Sequence, residues 1–192
     1  MKSTKGRFQL KQNVAIELRG ADGELKPLFQ PNKLLLTLLK KGIISPLSLF
    51  AKIPFLFGHW TQHLSISNLT TTTGKAGVAS RINGNGAEAA FTYIAVGTGT
   101  TAAAIADTTL ETETAASGLS RAAATASRVT TDTTNDTAKL LKSFSVTGTV
   151  AVTESGVLNA ASVGTLLARQ VFSAINVVNG DTLEITWQFD VD

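Results

Sequence analysis

From Leu183 to Val191 apolar and polar residues alternate without interruption. Leu183, Ile185, Trp187, Phe189 and Val191 fall on one parity, and Glu184, Thr186, Gln188 and Asp190 on the other. A period of two places each parity on its own face of a β-strand, so the stretch predicts a half-buried strand that contributes a core face. Asn179-Gly180 ahead of it accepts positive φ and predicts a tight turn. Thr165–Val178 before that turn is a second strand candidate, and the two together suggest an antiparallel hairpin. An apolar face of this kind needs another sheet to cover it.

Upstream, short strand candidates recur with turn signals between them. They are Phe91–Val96, Ser120–Thr131 and Ala138–Val150, the last continued by Val152–Leu158 with a bulge or bend at Gly156. Asn83–Gly86 and Thr131–Thr137 read as turns, and Thr108–Ala116 as a single helical turn. The pattern is that of an antiparallel β-sandwich or jelly-roll, mainly β, rather than of βαβ units. Gly74–Ile82 reads as a short helix packed through small residues. Abundant Thr suits strands and turns, and charged residues make up only 16% of the chain, which argues against a disordered tail.

The first 67 residues read differently, as an N-terminal arm on a body of residues 68–192. Residues 7–19 predict a strand, Gly20–Gly23 a turn, and Glu24–Phe29 a short returning partner, kept to an edge by Pro27. Asn32 is placed to cap a helix over Lys33–Lys41, with Gly42 at its C′ position. Leu34, Leu35, Leu36, Leu38 and Leu39 make that helix apolar. Ile43, Ile44, Leu47, Leu49 and Phe50 follow, then Ile53, Phe55, Leu56 and Phe57. Lys40, Lys41, Lys52 and two prolines interrupt the ~20 apolar residues that a membrane-spanning helix needs. An assembly arm that buries these side chains on a neighbouring subunit, or on its own body, is the expectation. Trp60–Ser67 reads as a further strand.

Charge is divided in the same way. Residues 1–81 hold 12 Lys and Arg against 3 Asp and Glu; residues 82–192 hold 5 against 11. A basic part beside an acidic part fits nucleic-acid or membrane contact, or copies packed basic arm on acidic body. The lysines are interleaved with Leu, Ile and Phe, which favours the packed copies. There is no cysteine, hence no disulfide framework or thiolate chemistry. The basic first residues are not followed by an apolar h-region, so no secretory signal is expected.

Chemical motifs are sparse. Val96–Ala102 matches G-x-G-x-x-A after a strand. The helix and βαβ frame of a dinucleotide site do not follow, and a close-packed backbone turn is expected. His59 and His63 would lie ~13 Å apart along one strand face, too far to share a metal. Glu111 with Glu113, and Asp132 with Asp136, sit among threonines in loops and lack the pocket that acid–base work requires. Arg121, Arg128 and Arg169 lie on strand candidates and are expected to pair with carboxylates. Trp60, Tyr93 and Trp187 are expected in the core. No catalytic residue, metal or cofactor is predicted.

Three segments in series carry a resemblance. FTYIAVGTGTTAAAIADTTLETE (Phe91–Glu113), VTESGVLNAAS (Val152–Ser162) and LLARQVFSAINVVNGDTLEITWQFDV (Leu166–Val191) resemble a recurrent class of tailed-bacteriophage virion proteins. From its first segment to its last, the likeness spans about half the chain. It implies a non-enzymatic structural subunit of a virion, in a tail or neck position, or alternatively a capsid decoration or minor capsid protein. The implied partners are copies of itself and other virion proteins, with no small-molecule substrate, nucleic acid or membrane. A receptor- or glycan-binding module of a tail fibre is the alternative of another class.

Overall fold

The computed structural model describes residues 10–41, 43 and 56–191. In chain order the elements are β1 (Leu10–Arg19), β2 (Leu28–Pro31), α1 (Lys33–Lys40), β3 (Gly58–Thr61), β4 (Leu64–Ser67), β5 (Leu69–Thr70) and α2 (Thr72–Asn83). There follow β6 (Tyr93–Gly97), β7 (Ala122–Ala123), β8 (Thr125–Val129), β9 (Thr137–Ser145), β10 (Val150–Leu158), β11 (Leu166–Val177) and β12 (Thr182–Val191). The chain is mainly β, and every strand pairing is antiparallel.

Two five-stranded sheets form the body. The first runs β4-β1-β12-β9-β8, the second β5-β11-β10-β6-β7. One apolar cluster joins them: Ile16, Ile185 and Trp187 from the first sheet pack with Ile94, Val157 and Phe172 from the second. This is a sandwich-like arrangement, and full burial of each such side chain contributes about 1.5–3 kcal/mol. Leu183, Ile185, Trp187 and Phe189 are buried as the alternation predicts, with Trp187 stacked on Phe189. The buried Trp187 Nε1 donates to Ser155 Oγ at 3.1 Å, which in turn donates to the Ala95 carbonyl, so the indole N–H is satisfied across the core.

The expected terminal hairpin is not formed. β12 lies between β1 and β9, whereas β11 lies in the opposite sheet, so the turn at Asn179-Gly180 crosses between sheets. The turn itself is present, with Gly180 at φ 91° and Asp181 Oδ2 accepting from Val178 N. Val191, at the end of the alternation, is 47% exposed and is not a core residue. Two other predicted runs also change sheet. Ser120–Thr131 divides at Ala124, so that β7 edges one sheet and β8 the other. The run through Val150 and Leu158 divides between β9 and β10. The register irregularities of β10 fall at Val152/Glu154 and Val157/Leu158 rather than at Gly156. No helical turn forms at Thr108–Ala116, which instead bridges β6 through Gly97 and Glu113.

The division at residue 67 cuts through the first sheet. β1 pairs with β12 along its full length, from Leu10↔Val191 to Arg19↔Thr182, and β4 pairs with β1. Residues 24–29 touch β1 only at an Arg19↔Leu25 bridge. β2 pairs with β3 instead, because Pro27 lacks the N–H for a continuous return. The small β2–β3 sheet and α1 share their own cluster of Phe29, Leu35 and Phe57, while Leu36 packs on the main core. Asn32 caps α1 as predicted: its Oδ1 accepts from Leu35 N at 2.9 Å, and its Nδ2 donates to the Leu56 carbonyl.

Within the expected arm, Leu38 is half-buried, and Leu34, Ile43 and Leu56 are at least half exposed. Gly42, Ile44, Leu47, Leu49, Phe50, Ile53 and Phe55, and the side chain of Leu39, lie outside the described residues. Among the described residues, no helix is long and apolar enough to cross a membrane.

Helix α2 follows the small-residue expectation and extends it by two residues at the start. Thr71 Oγ1 accepts from Gly74 N and donates to the Leu166 carbonyl, tying the N-cap to β11. A Cβ at Gly74 would stand 2.2 Å from the Leu167 carbonyl oxygen, so only glycine allows this approach.

Candidate functional site: a buried carboxylate–guanidinium latch

β10 and β11 are buried on both faces. The inner face meets the other sheet. The outer face is covered by residues 97–113, which comprise the glycine–threonine loop and its continuation to Glu113. The anchor of this cover is Leu110, which packs with Ala95, Leu158 and Leu166 in a separate apolar cluster. Gly156 makes room for it: a Cβ there would meet Leu110 Cδ1 at 2.6 Å. The glycine predicted as a bend is a seat for a leucine.

A single buried carboxylate holds this cover down. Glu154 on β10 has no solvent exposure. Its Oε1 accepts from Gly99 N at 3.0 Å and Thr112 N at 2.8 Å, and its Oε2 from Glu111 N at 3.1 Å and Arg169 Nε at 2.7 Å. Arg169 on β11 lies diagonally across from it, since Glu154 pairs with Val171 and Arg169 with Gly156. The guanidinium then reaches the loop on its other edges. Nη1 donates to Asp107 Oδ2 at 2.8 Å, and Nη2 to the Thr101 carbonyl at 3.1 Å and to Glu111 Oε2 at 3.4 Å. Burial disfavours the Arg169 charge, but the bonds to Asp107 and Glu154 outweigh it, and its pKa is raised.

The loop completes the network from its own side. Glu111 accepts from both N and Oγ1 of Thr101, at 2.7 Å each. These two bonds, against a smaller opposing effect of burial and with help from Arg169, lower its pKa. Asp107 also accepts from Ala104 N, and Thr153 Oγ1 donates to the Gly99 carbonyl. The glycines are needed for proximity. A Cβ on Gly97 or Gly99 would lie 2.5 Å from Glu154 Oε1. The close-packed turn expected of the G-x-G-x-x-A match is what forms.

A second pair closes the neighbouring loop. Arg121 Nε and Nη2 grip both oxygens of Glu113, while its Nη1 donates to the carbonyls of Ala160 and Val163. Asn159 Oδ1 accepts from Thr165 N across the same loop. Pairing with carboxylates thus holds for Arg121 and Arg169. Arg128 is exposed on β8 with no carboxylate within 4.0 Å among the described residues.

The remaining candidates are dispersed. His63 Nδ1 lies 2.7 Å from Glu17 Oε1, in the bend that splits the predicted Trp60–Ser67 strand into β3 and β4. His59 is exposed on β3. Asp136 gathers the amides of the β8–β9 turn. Bonds from Thr133, Thr131 and Asp132 N, with Thr137 Oγ1, hold its carboxyl at a pKa of about 2. Trp187 is buried and Tyr93 is partly buried, but Trp60 is 50% exposed and stands edge-on to Phe29. The expectation that Trp60 is a core residue fails: it pairs with buried Phe29, but β3 is the outer strand of a two-stranded ribbon and none of its residues is buried.

The latch does positional work. Both oxygens of Glu154 are saturated and Arg169 is fully engaged, so neither offers a free site for proton transfer. The motif residues of three separate segments, Gly97, Gly99, Asp107, Leu110, Glu111, Glu154, Gly156 and Arg169, meet at one place. Sequence reasoning left Glu154 unmarked. Its signal is a lone acid inside a run of small and apolar residues (TVAVTESGVL), which requires a buried partner. No protein-family profile, curated protein or solved structure matches this chain.

Proposed function

We propose that the chain is a non-enzymatic structural subunit of a tailed-phage virion, in a tail or neck position. The observation that carries the reading is the latch. The residues that make up the resemblance use their hydrogen-bonding capacity to fix one loop to one sheet, the rigid body that a repeated building block needs. The apolar residues of the run 34–57 that do not pack within the chain are the assembly device, supported by the exposure of Leu34, Ile43 and Leu56. A capsid decoration or minor capsid role uses the same features.

The test replaces residues 42–55 by a short glycine–serine linker and compares its mass in solution with that of the full chain by light scattering. The full chain should assemble, and the variant should be a folded monomer. Equal masses with equal stability would refute arm-driven assembly. Absence of the chain from purified particles, by mass spectrometry, would refute the virion reading. Trp60 gives the glycan-binding alternative a specific footing, since a half-exposed indole beside Pro27 and Asn176 lines a pocket of about 220 Å³. Quenching of Trp60 fluorescence by a glycan panel would establish that reading.

A further inference from the structure

The sheet edges are unequally protected. On β4, the side-chain amide of Gln30 stands in for a neighbouring strand: its Nε2 donates to the Ser65 carbonyl at 3.0 Å and its Oε1 accepts from Ser65 N at 2.9 Å. The second sheet ends in β5 and β7, each of two residues. β8 is different. It is five residues long, its side chains are small apart from Arg128, and it pairs only with β9. Its far side meets no strand or cap among the described residues, which is the condition in which a sheet accepts an added strand.

A groove of about 400 Å³ adjoins this edge, open between the first sheet and α2. Its lining is mainly apolar and includes Val78, Ile82, Phe91, Leu140 and Phe189, with Ile82 74% exposed. The register places β8 against it: Ala126 pairs with Leu140 and Arg128 with Ala138, and both partners line the groove. Side chains of an added strand on that parity would therefore lie on the face of the sheet that bears the groove.

The charged side chain that lines it is Arg81, while the carboxylate of Asp136 is held within the β8–β9 turn by backbone amides. Arg128 stands at its rim, and Lys142 shares the inward parity of Leu140. None of the three has a carboxylate within 4.0 Å among the described residues. Arg128 and Lys142 are two of the five cations in a half of the chain that carries eleven acids. A second copy's basic arm would meet like charge here.

We infer that β8 and this groove are a docking site for an extended, acidic segment of a different protein. The segment adds as a strand along β8 and turns alternating apolar and carboxylate side chains toward the groove and its cations. Backbone pairing supplies affinity, while the apolar floor and Arg81, Arg128 and Lys142 supply selectivity. The inference is independent of where the protein works.

The test uses the full chain and short fluorescent peptides alternating valine with glutamate or valine with lysine, read by anisotropy. The glutamate peptide should bind, and the lysine peptide should bind at least about tenfold more weakly. Arg128→Glu should remove that preference while leaving the circular dichroism spectrum unchanged; the exposed side chain makes no contact that the fold needs. Hydrogen exchange should show that the β8 amides facing away from β9 gain protection only when the glutamate peptide is present. Lack of binding, binding indifferent to Arg128→Glu, or protection elsewhere would each overturn the site. Protection of those β8 amides in self-associated protein without peptide would overturn the foreign partner in favour of a second copy.

Discussion

Glu154 and Arg169 show how one residue pair can be read in energetic terms. Moving two charges into the body is costly, and the geometry offsets that cost only while both are present. Glu154→Ala or Arg169→Ala alone should each destabilise the chain by about 3–5 kcal/mol in denaturant unfolding. The double variant should cost well under the sum, because the two share one network. Asp136 contributes to the acid limb of stability. Its pKa falls from 3.8 to about 2 on folding, so its contribution is present above pH 3.8 and is lost as pH falls from there through about 2. Thermal midpoints of the parent and Asp136→Asn should differ at neutral pH and converge below pH of about 2. Of these residues, Arg169 was legible as a pairing arginine. Glu154 was not singled out, since its four donors come from a loop and a strand that only folding brings to it.

At the scale of elements, the cover over β10 and β11 depends on a leucine seated on a glycine. Gly156→Val should displace Leu110 and destabilise by about 1–3 kcal/mol, the usual range for overpacking. Adding Leu110→Ala should recover part of that loss, a coupling that calorimetry of the four-member cycle would detect. Helix α2 rests on its N-cap, and Thr71→Ala should cost about 1 kcal/mol or more, since the hydroxyl also bonds β11. Element type and approximate limits were readable for β12, β6, α1 and α2, where period, caps and turns agree. Partners were not. The runs through Ala124, through Val146–Thr149 and through Asn179-Gly180 each look like one strand or one hairpin. Each instead crosses from sheet to sheet, because a local alternation records which side is apolar but not which sheet covers it.

At the scale of the whole molecule, β1 pairs with β12 along its full length, so the expected arm of residues 1–67 supplies a strand of the body's own first sheet. β1 inserts Val14, Ile16 and Leu18 into the core between β12 and β4. A chain beginning at Asn68 should therefore fail to give a cooperative unfolding transition, whereas excision of residues 42–55 should leave one; thermal denaturation followed by circular dichroism separates the two. What could be read along the chain was whatever short-range physics imposes: strand period, helix caps, glycine turns, the absence of thiols and the opposition of basic and acidic halves. The pairing of β1 with β12, the burial of Glu154, the exposure of Trp60 and the place of β8 at the end of its sheet are set by contacts between residues far apart in sequence. Those contacts form only when two sheets close on one core, and no local pattern encodes which distant face will arrive.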